Sequence, residues 1–280
     1  MCKIFALSNT SGLDAAELAA CIRRSHREIT VTARQRDGWG FALGEYVEKL
    51  DNPEQWPGQP GQLGALDLGG AVVELDAIAS GVMPEPGPPL IVHGRIATCA
   101  RGAENAHPHV AGQWTVVHNG VVEPRSSKAR RSCDSMHIAD SLAKHNGPHK
   151  LARDVVGYLA ILGIDPEGRL FALRDRTAPL WLARVPEWDC YALASTPELL
   201  RAIVGRATGP VFQLAAFRWH VAAGDRWDVE EVKAWDAARP HLAGKAGKAF
   251  GTSGGGKTRK WEWDDSETYE ASKNERWPLK

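Results

Sequence analysis

Apolar residues along this chain recur at two spacings, every second residue in some blocks and every third or fourth in others, with clusters of Gly, Pro, Ser and Asn between them. Residues 2–8 alternate and are bounded by Ser8-Asn-Thr-Ser-Gly12, which predicts a buried strand followed by a turn. Asp14 stands where an N-cap belongs, ahead of a 15–24 stretch whose Leu18, Ala19 and Ile22 fall at helical spacing. Asp37-Gly-Trp-Gly-Phe-Ala-Leu-Gly44 sets glycines among apolar residues, the pattern of a strand whose backbone another group approaches closely. Pro, Gly and Gln dominate 49–69, a predicted surface loop, and strands are expected at 70–76 and 89–95, divided by the proline-rich turn 83–89.

Gln113 to His118 reads as a strand that ends at Asn119-Gly120. After a basic loop from Arg125 to Arg131, apolar residues at 136, 138, 139, 142 and 143 predict a helix over 134–143, with Asp134 in or near its first turn. Strand-like runs recur at 156–164, 169–174, 179–184 and 190–195, the first two joined by the hairpin turn Asp165-Pro-Glu-Gly168. Thr196 followed by Pro197 opens a helix that reaches Ile203. Final strands are expected at 211–223 and 229–235. Helices and antiparallel strands occupy separate blocks, so the class is α+β with layered sheets. From about residue 242 the chain turns to Gly-Lys-Ala-Gly-Lys and Gly-Thr-Ser-Gly-Gly-Gly, then to a charged segment with Trp261, Trp263 and Trp277. That divides it into a domain over 2–240 and a linker and tail over 241–280, expected to be disordered.

At 280 residues the chain is long enough to bury a sizeable core. Lys plus Arg (34) equals Asp plus Glu (34), so no global field draws in nucleic acid or an acidic membrane, and the partner must be read from a site. The five cysteines (Cys2, Cys21, Cys99, Cys133 and Cys190) are scattered and without CxxC spacing, which argues against a disulfide framework or a structural zinc and fits a reducing cytoplasm. Cys2 and Lys3 lead into too short an apolar run for a signal peptide, and no segment approaches the roughly 18 apolar residues of a membrane span. A soluble, cytoplasmic protein is therefore expected. The 11 Trp sit singly, as packing and rim residues rather than a stacking platform for bases.

The chemistry begins at Met1-Cys2. Removal of Met1, which a side chain as small as that of Cys2 permits, would place a thiol and a free α-amine on one residue. Such an amine titrates at about 7.7–8.0, so much of it can accept the thiol proton at neutral pH. Arg95 ends an apolar strand, a costly place for a guanidinium unless an anion faces it, and a carboxylate held bidentately fits best. Asn119-Gly120 can aim a side-chain amide N–H and a backbone N–H at one point, as an oxyanion hole requires. Asp134 offers a carboxylate for an ammonium group. Taken singly, Arg95 reads equally well as a structural ion pair, Asn119-Gly120 as a type I′ hairpin turn and Asp134 as an N-cap. Together with Cys2 they describe a pocket for a zwitterionic amino acid that bears a side-chain amide.

Met1-Cys2, Asp37-Gly-Trp-Gly40, His93-Gly-Arg-Ile-Ala-Thr98, Asn105-Ala-His-Pro-His109, Val116-Val-His-Asn-Gly120 and Cys133-Asp-Ser135 occur in the order and spacing of a known family. Over about residues 2–205 the chain resembles class II glutamine amidotransferase domains of the N-terminal-nucleophile hydrolase superfamily. The resemblance implies a four-layer αββα sandwich, with Cys2 as nucleophile and base and Arg95 on the glutamine α-carboxylate. It further implies Asn119 and Gly120 as the oxyanion hole and Asp134 on the α-ammonium, with Thr98 and His93 lining or supporting the pocket. No cofactor is implied. Ile96 and Cys99 stand where sugar-phosphate amidotransferases often carry Trp and His, and Ser135-Met136 where many relatives have a second acidic residue. These departures point to the compact stand-alone domains that carry Asp-Gly-Trp-Gly.

Other signals are weaker. Gly251 to Thr258 fits the P-loop pattern without the strand and helix that its mechanism needs. His93, His107, His109, His118 and Cys99 crowd one window, but their spacing matches no usual metal-ligand set. Cys99 or Cys133 with a nearby His would make a conventional thiol hydrolase, and the basic loop is expected to be solvated. Three functions remain open at this point. The first is an amidotransferase that passes ammonia from glutamine to a synthase on another chain, docked on strands 211–235 or the Trp-bearing tail. The second is a stand-alone hydrolase of glutamine or a γ-glutamyl amide, and the third an inactive binding module.

Overall fold

Alternation along the strands sorts the apolar side chains into separate cores. The first strand shows the rule: Phe5 and Leu7 enter one core, while Ile4 and Ala6 enter another on the opposite face. A computed structural model describes residues 2–51, 87–96, 102–125, 133, 135–205, 208–223 and 226–232. All of them lie in the unit Met1–Arg239.

Numbered along the chain, the strands are β1 (Lys3–Leu7), β2 (Trp39–Leu43), β3 (Tyr46–Leu50), β4 (Leu90–Gly94), β5 (His109–Ala111), β6 (Trp114–Pro124) and β7 (Val155–Ile164). They continue with β8 (Leu170–Arg174), β9 (Trp181–Val185), β10 (Cys190–Ala194), β11 (Val211–Gln213), β12 (Arg218–Ala223) and β13 (Arg226–Glu231). The helices are α1 (Ala15–His26), extended by a π-helical turn over Arg27–Thr32, then α2 (Ser135–His145), the short α3 (Leu151–Asp154) and α4 (Pro197–Val204). Asp14 Oδ1 accepts the Glu17 N–H at 2.8 Å and Thr196 Oγ1 accepts the Leu199 N–H at 3.2 Å, so α1 and α4 start at the caps read from the sequence.

The strands form a seven-stranded sheet in the order β11-β9-β10-β1-β4-β2-β3 and a six-stranded sheet in the order β13-β12-β8-β7-β6-β5. Phe5, Trp39, Phe41 and Val92 pack outward from the first sheet onto Leu18 and Ile22 of α1 and Leu200 and Ile203 of α4. Val116, Ile161, Phe171 and Leu173 pack outward from the second onto Ile138 and Leu142 of α2. Between the sheets, Ile4, Ala6, Ile91, Val117, Ala160, Leu162 and Leu193 form a third core. The order is helix, sheet, sheet, helix, which is the expected four-layer α+β sandwich. No helix among the described residues is long and apolar enough to cross a membrane.

Three expectations are corrected. Tyr46–Leu50, partly assigned to the 49–69 loop, is an edge strand paired with β2 alone and only half-buried, which is why its apolar pattern is weak. The strand expected to stop at Asn119-Gly120 runs on to Pro124, in unbroken register with β7 from Asn119 opposite Ala160 to Pro124 opposite Val155. The single strand expected over 211–223 is two, which join different sheets: β11 pairs with β9 and β12 with β8. Between them the Leu214 N–H donates to the Leu180 carbonyl at 2.9 Å, and Phe217 takes a left-handed φ of 61°. The expected 229–235 strand is represented by β13, which starts earlier. The 70–76 strand and the 241–280 tail lie outside the described residues.

Gly40 tests the packing directly. A Cβ there would sit 2.2 Å from the His107 carbonyl oxygen and 2.5 Å from that of Glu48, both backbone atoms. Gly40→Ala is expected to cost about 3 kcal/mol in urea unfolding, the upper range for overpacking. Gly209→Ala, whose nearest contact would be the Arg184 carbonyl oxygen at 3.4 Å, should stay within about 0.5 kcal/mol of wild type.

Candidate active site

β1 and β4 run antiparallel with Lys3 opposite Gly94, so the residues just outside the ladder, Cys2 and Arg95, come together at one end of the seven-stranded sheet. Cys2 Sγ accepts the Ile96 N–H at 3.3 Å and lies 3.6 Å from the Ile96 carbonyl oxygen. Arg95 is buried, at 2% exposure. Its backbone is strapped to the Asp37-Gly38 segment: the Arg95 N–H donates to the Gly38 carbonyl at 2.8 Å, and the Asp37 N–H donates to the Arg95 carbonyl at 3.1 Å. The next residue of that segment, Trp39, is fully buried with its ring 5.1 Å from that of His26. The Asp-Gly-Trp-Gly motif thus acts as a scaffold for the end of β4.

Across the sandwich, β6 carries Asn119 and Gly120. Its Val117 is part of the core between the sheets, and Asn119, two residues on, shares that face. Asn119 is 0% exposed, and neither Nδ2 nor Oδ1 has a hydrogen-bond partner among the described residues. Leaving such a group unsatisfied costs roughly 1–3 kcal/mol, so an amide in this state calls for an explanation.

Gly120 has φ +140°, and a Cβ would fall 2.1 Å from the Tyr158 carbonyl oxygen, so only glycine fits. The residue opposite it is Leu159, whose N–H donates to Asp175 Oδ2 at 2.9 Å and whose carbonyl accepts the Asp175 N–H at 2.8 Å. Both polar groups of Leu159 therefore face β8. Gly120 and Leu159 make a pair without ladder bonds, and the Gly120 N–H is directed off the far side of β6. β5 covers that side only as far as Val116.

Beside these residues lies a cluster of imidazoles, tilted or edge-on to one another. The His93 and His107 ring centroids are 3.8 Å apart, and His107 is 4.6 Å from His109 and 6.4 Å from His118. His93 Nε2 lies 3.0 Å from the His118 carbonyl oxygen, which can only accept, so Nε2 carries the proton. In the neutral ring Nδ1 is then the bare nitrogen, buried without a hydrogen-bond partner among the described residues. Both ring nitrogens of His107 are likewise buried without one among those residues. Burial first, and then neighbouring imidazoles and Arg95, holds His93 and His107 well below the ordinary histidine value, so both are neutral at pH 7. Among the described residues no group of three or more His, Cys, Asp or Glu is placed to hold a metal ion.

The structure thus brings Cys2, Arg95, Asn119, Gly120 and His93 to one end of the sandwich. Asp134 and Thr98 lie outside the described residues, although Ser135, next to Asp134, starts α2 and shares a 3.0 Å hydrogen bond with His118 Nδ1. Of the other thiols, Cys133 is buried, Cys99 lies outside the described residues, and burial pushes Cys21 and Cys190 up to about 12. Cys2 is the described thiol that is not buried. Sequence reasoning did not single out His118 and Ser135 as a bonded pair; the crowding of histidines in the 93–118 window was the available signal.

Neither a protein-family model nor a curated protein matches the chain. Solved structures do. The glutamine phosphoribosylpyrophosphate amidotransferase from B. subtilis, complexed with ADP and GMP, is similar with a TM-score of 0.52 and 15% identity, over 82% of this chain and 49% of that one. A structure described as the allosteric regulatory enzyme of purine biosynthesis is similar with a TM-score of 0.54 and 16% identity, over the same shares. The chain therefore spans about half the length of each, and what it shares with them at this identity is the fold.

The buried histidines set a pH signature. His220, buried, is held down at about 4, and His93 and His107 lie well below 6.5. The unfolded chain therefore takes up protons on these residues first, so stability is complete above about pH 6.5 and declines as pH falls towards 4. Each fully shifted histidine contributes a slope of about 1.4 kcal/mol per pH unit. Urea unfolding at pH 7.5 and 5.0 should show a loss of several kcal/mol at the lower pH, and equal stabilities would contradict the assignment of neutral buried rings.

Proposed function

We propose that this chain is a class II glutamine amidotransferase, in which Cys2, freed of Met1, hydrolyses the side-chain amide of glutamine. The α-amine of Cys2 takes the thiol proton, and the sulfur attacks the carboxamide carbon. The new C–S bond pushes an electron pair onto the carbonyl oxygen, which Asn119 Nδ2–H and the Gly120 N–H hold. The Cys2 ammonium then protonates the leaving nitrogen, the C–N bond breaks, and ammonia departs from a γ-glutamyl thioester. Water, deprotonated by the same amine, cleaves the thioester to glutamate and restores the thiol. Arg95 takes the α-carboxylate of the substrate and Asp134 its α-ammonium, with Thr98 and His93 shaping the pocket. Ammonia is consumed by an acceptor enzyme on a separate chain.

The observation that supports this reading is the Asn119 amide, wholly buried with no partner for either polar atom among the described residues, and next in the chain to His118, whose carbonyl accepts from His93, two residues before Arg95. A donor that stabilises charge only in the transition state is idle in the resting enzyme. The shared fold and the agreement of motif order support the same conclusion.

Glutamate release from glutamine tests it. Cys2→Ala should abolish turnover. Asn119→Ala should lower kcat by about 10²–10³-fold, the usual cost of one oxyanion donor, with KM nearly unchanged. Wild-type turnover by Cys2→Ala would refute the assignment.

A further inference from the structure

The residues that meet at the site come from separate layers of the sandwich. Cys2 and Arg95 flank β1 and β4 of the seven-stranded sheet, Asn119 and Gly120 belong to the six-stranded sheet, and the first turn of α2 to the helical layer outside it. The core between the sheets is built from aliphatic side chains, whose packing is non-directional. Hydrogen bonds that cross between layers therefore have particular weight in fixing the relative positions of these residues.

Two such bonds meet at His118. From the seven-stranded sheet, His93 Nε2–H donates to the His118 carbonyl at 3.0 Å. Towards the helical layer, His118 Nδ1 and Ser135 Oγ share a bond of 3.0 Å. All three residues are buried, at 0%, 2% and 1% exposure for His93, His118 and Ser135. Each is also a close chain neighbour of a proposed site residue: His93 is two before Arg95, His118 immediately precedes Asn119, and Ser135 immediately follows Asp134.

We propose that Ser135, acting through His118, is a positioning residue that, together with the His93 bond, sets Asn119 against Arg95 and the start of α2. The inference rests on the functional reading above, since it assigns Asn119 an oxyanion to hold. The Ser135 hydroxyl fixes the ring of His118 from the helical side, and His93 fixes its carbonyl from the opposite sheet. The ladder with β7 fixes the peptide that leads into Asn119 within its own sheet, and with ring and carbonyl of His118 both held that stretch of β6 is also fixed against the other layers, so the amide keeps its aim. A displacement of about 1 Å at such a donor is enough to cost on the order of 10²-fold in rate.

The test is Ser135→Ala beside Ser135→Thr, which retains the hydroxyl. For Ser135→Ala we expect kcat for glutamine hydrolysis to fall about 10–100-fold with KM within about two-fold, because an oxyanion donor acts in the transition state alone. Ser135→Thr should recover to within about three-fold of wild type. Unchanged kcat per folded molecule in Ser135→Ala, even with a lowered unfolding midpoint, would show the hydroxyl to be merely structural and overturn the proposal. So would a loss that Ser135→Thr does not repair.

A second readout does not depend on turnover. The Asn119 side-chain amide resonances, assigned by NMR, should move in Ser135→Ala and return in Ser135→Thr; resonances unmoved by Ser135→Ala would overturn the proposal. If the wild-type protein fails to hydrolyse glutamine, the functional reading falls by itself and these resonances alone decide the relay.

Discussion

A sheet buried on both faces gives a polar side chain no water to turn to, so each one must be answered by protein or by ligand. That constraint governs this molecule, because each of its two sheets is sealed outside by helices and inside by the other sheet. Over most of the interior it is met by leaving polar groups out: the strands put Ile, Leu, Val and Ala between the sheets. Around the end of β4 the rule changes, and Arg95, Asn119 and a cluster of histidines are buried there. The cost of burying them is the physical argument for a site there. A fold selected for stability alone would have filled those positions with aliphatic residues.

The histidines show how the interior handles titratable groups. Protonated imidazoles stacked as closely as His93 and His107 would repel one another in a medium of low dielectric, and burial keeps both neutral. A neutral ring presents one fixed donor and one fixed acceptor, and His93 spends its donor on the His118 carbonyl instead of on bulk water.

Much of this was legible in the sequence. The apolar patterns at 2–8 and 156–164 announced the strands β1 and β7, and Asp14 and Thr196 marked the starts of two helices by the chemistry of their caps. Cys2, Arg95, Asn119 and Gly120 were readable as candidate site residues because their side chains, or the lack of one, are expensive or unusual where they stand. The failures have physical reasons too. Asn-Gly is the strongest short hairpin signal, and no local pattern reveals that Gly120 takes φ +140° inside a continuous ladder. Residues 211–223 contain no Gly or Pro to mark a break, so the switch from one sheet to the other is invisible until the partners β9 and β8 are known. The bond between Ser135 and His118 spans 17 residues and links a helix to a strand, and neither periodicity nor motif spacing encodes it.

The account stands on the identity of one sulfur. Its most direct measurement is peptide mapping by mass spectrometry after the protein has reacted with a diazoketone analogue of glutamine, which alkylates a thiol that attacks at the position of the carboxamide. A single adduct is expected on a terminal peptide that begins at Cys2, with Cys21, Cys99, Cys133 and Cys190 unmodified. An adduct on any of those four, or a terminal peptide that still begins with Met1 and carries no label, would contradict it.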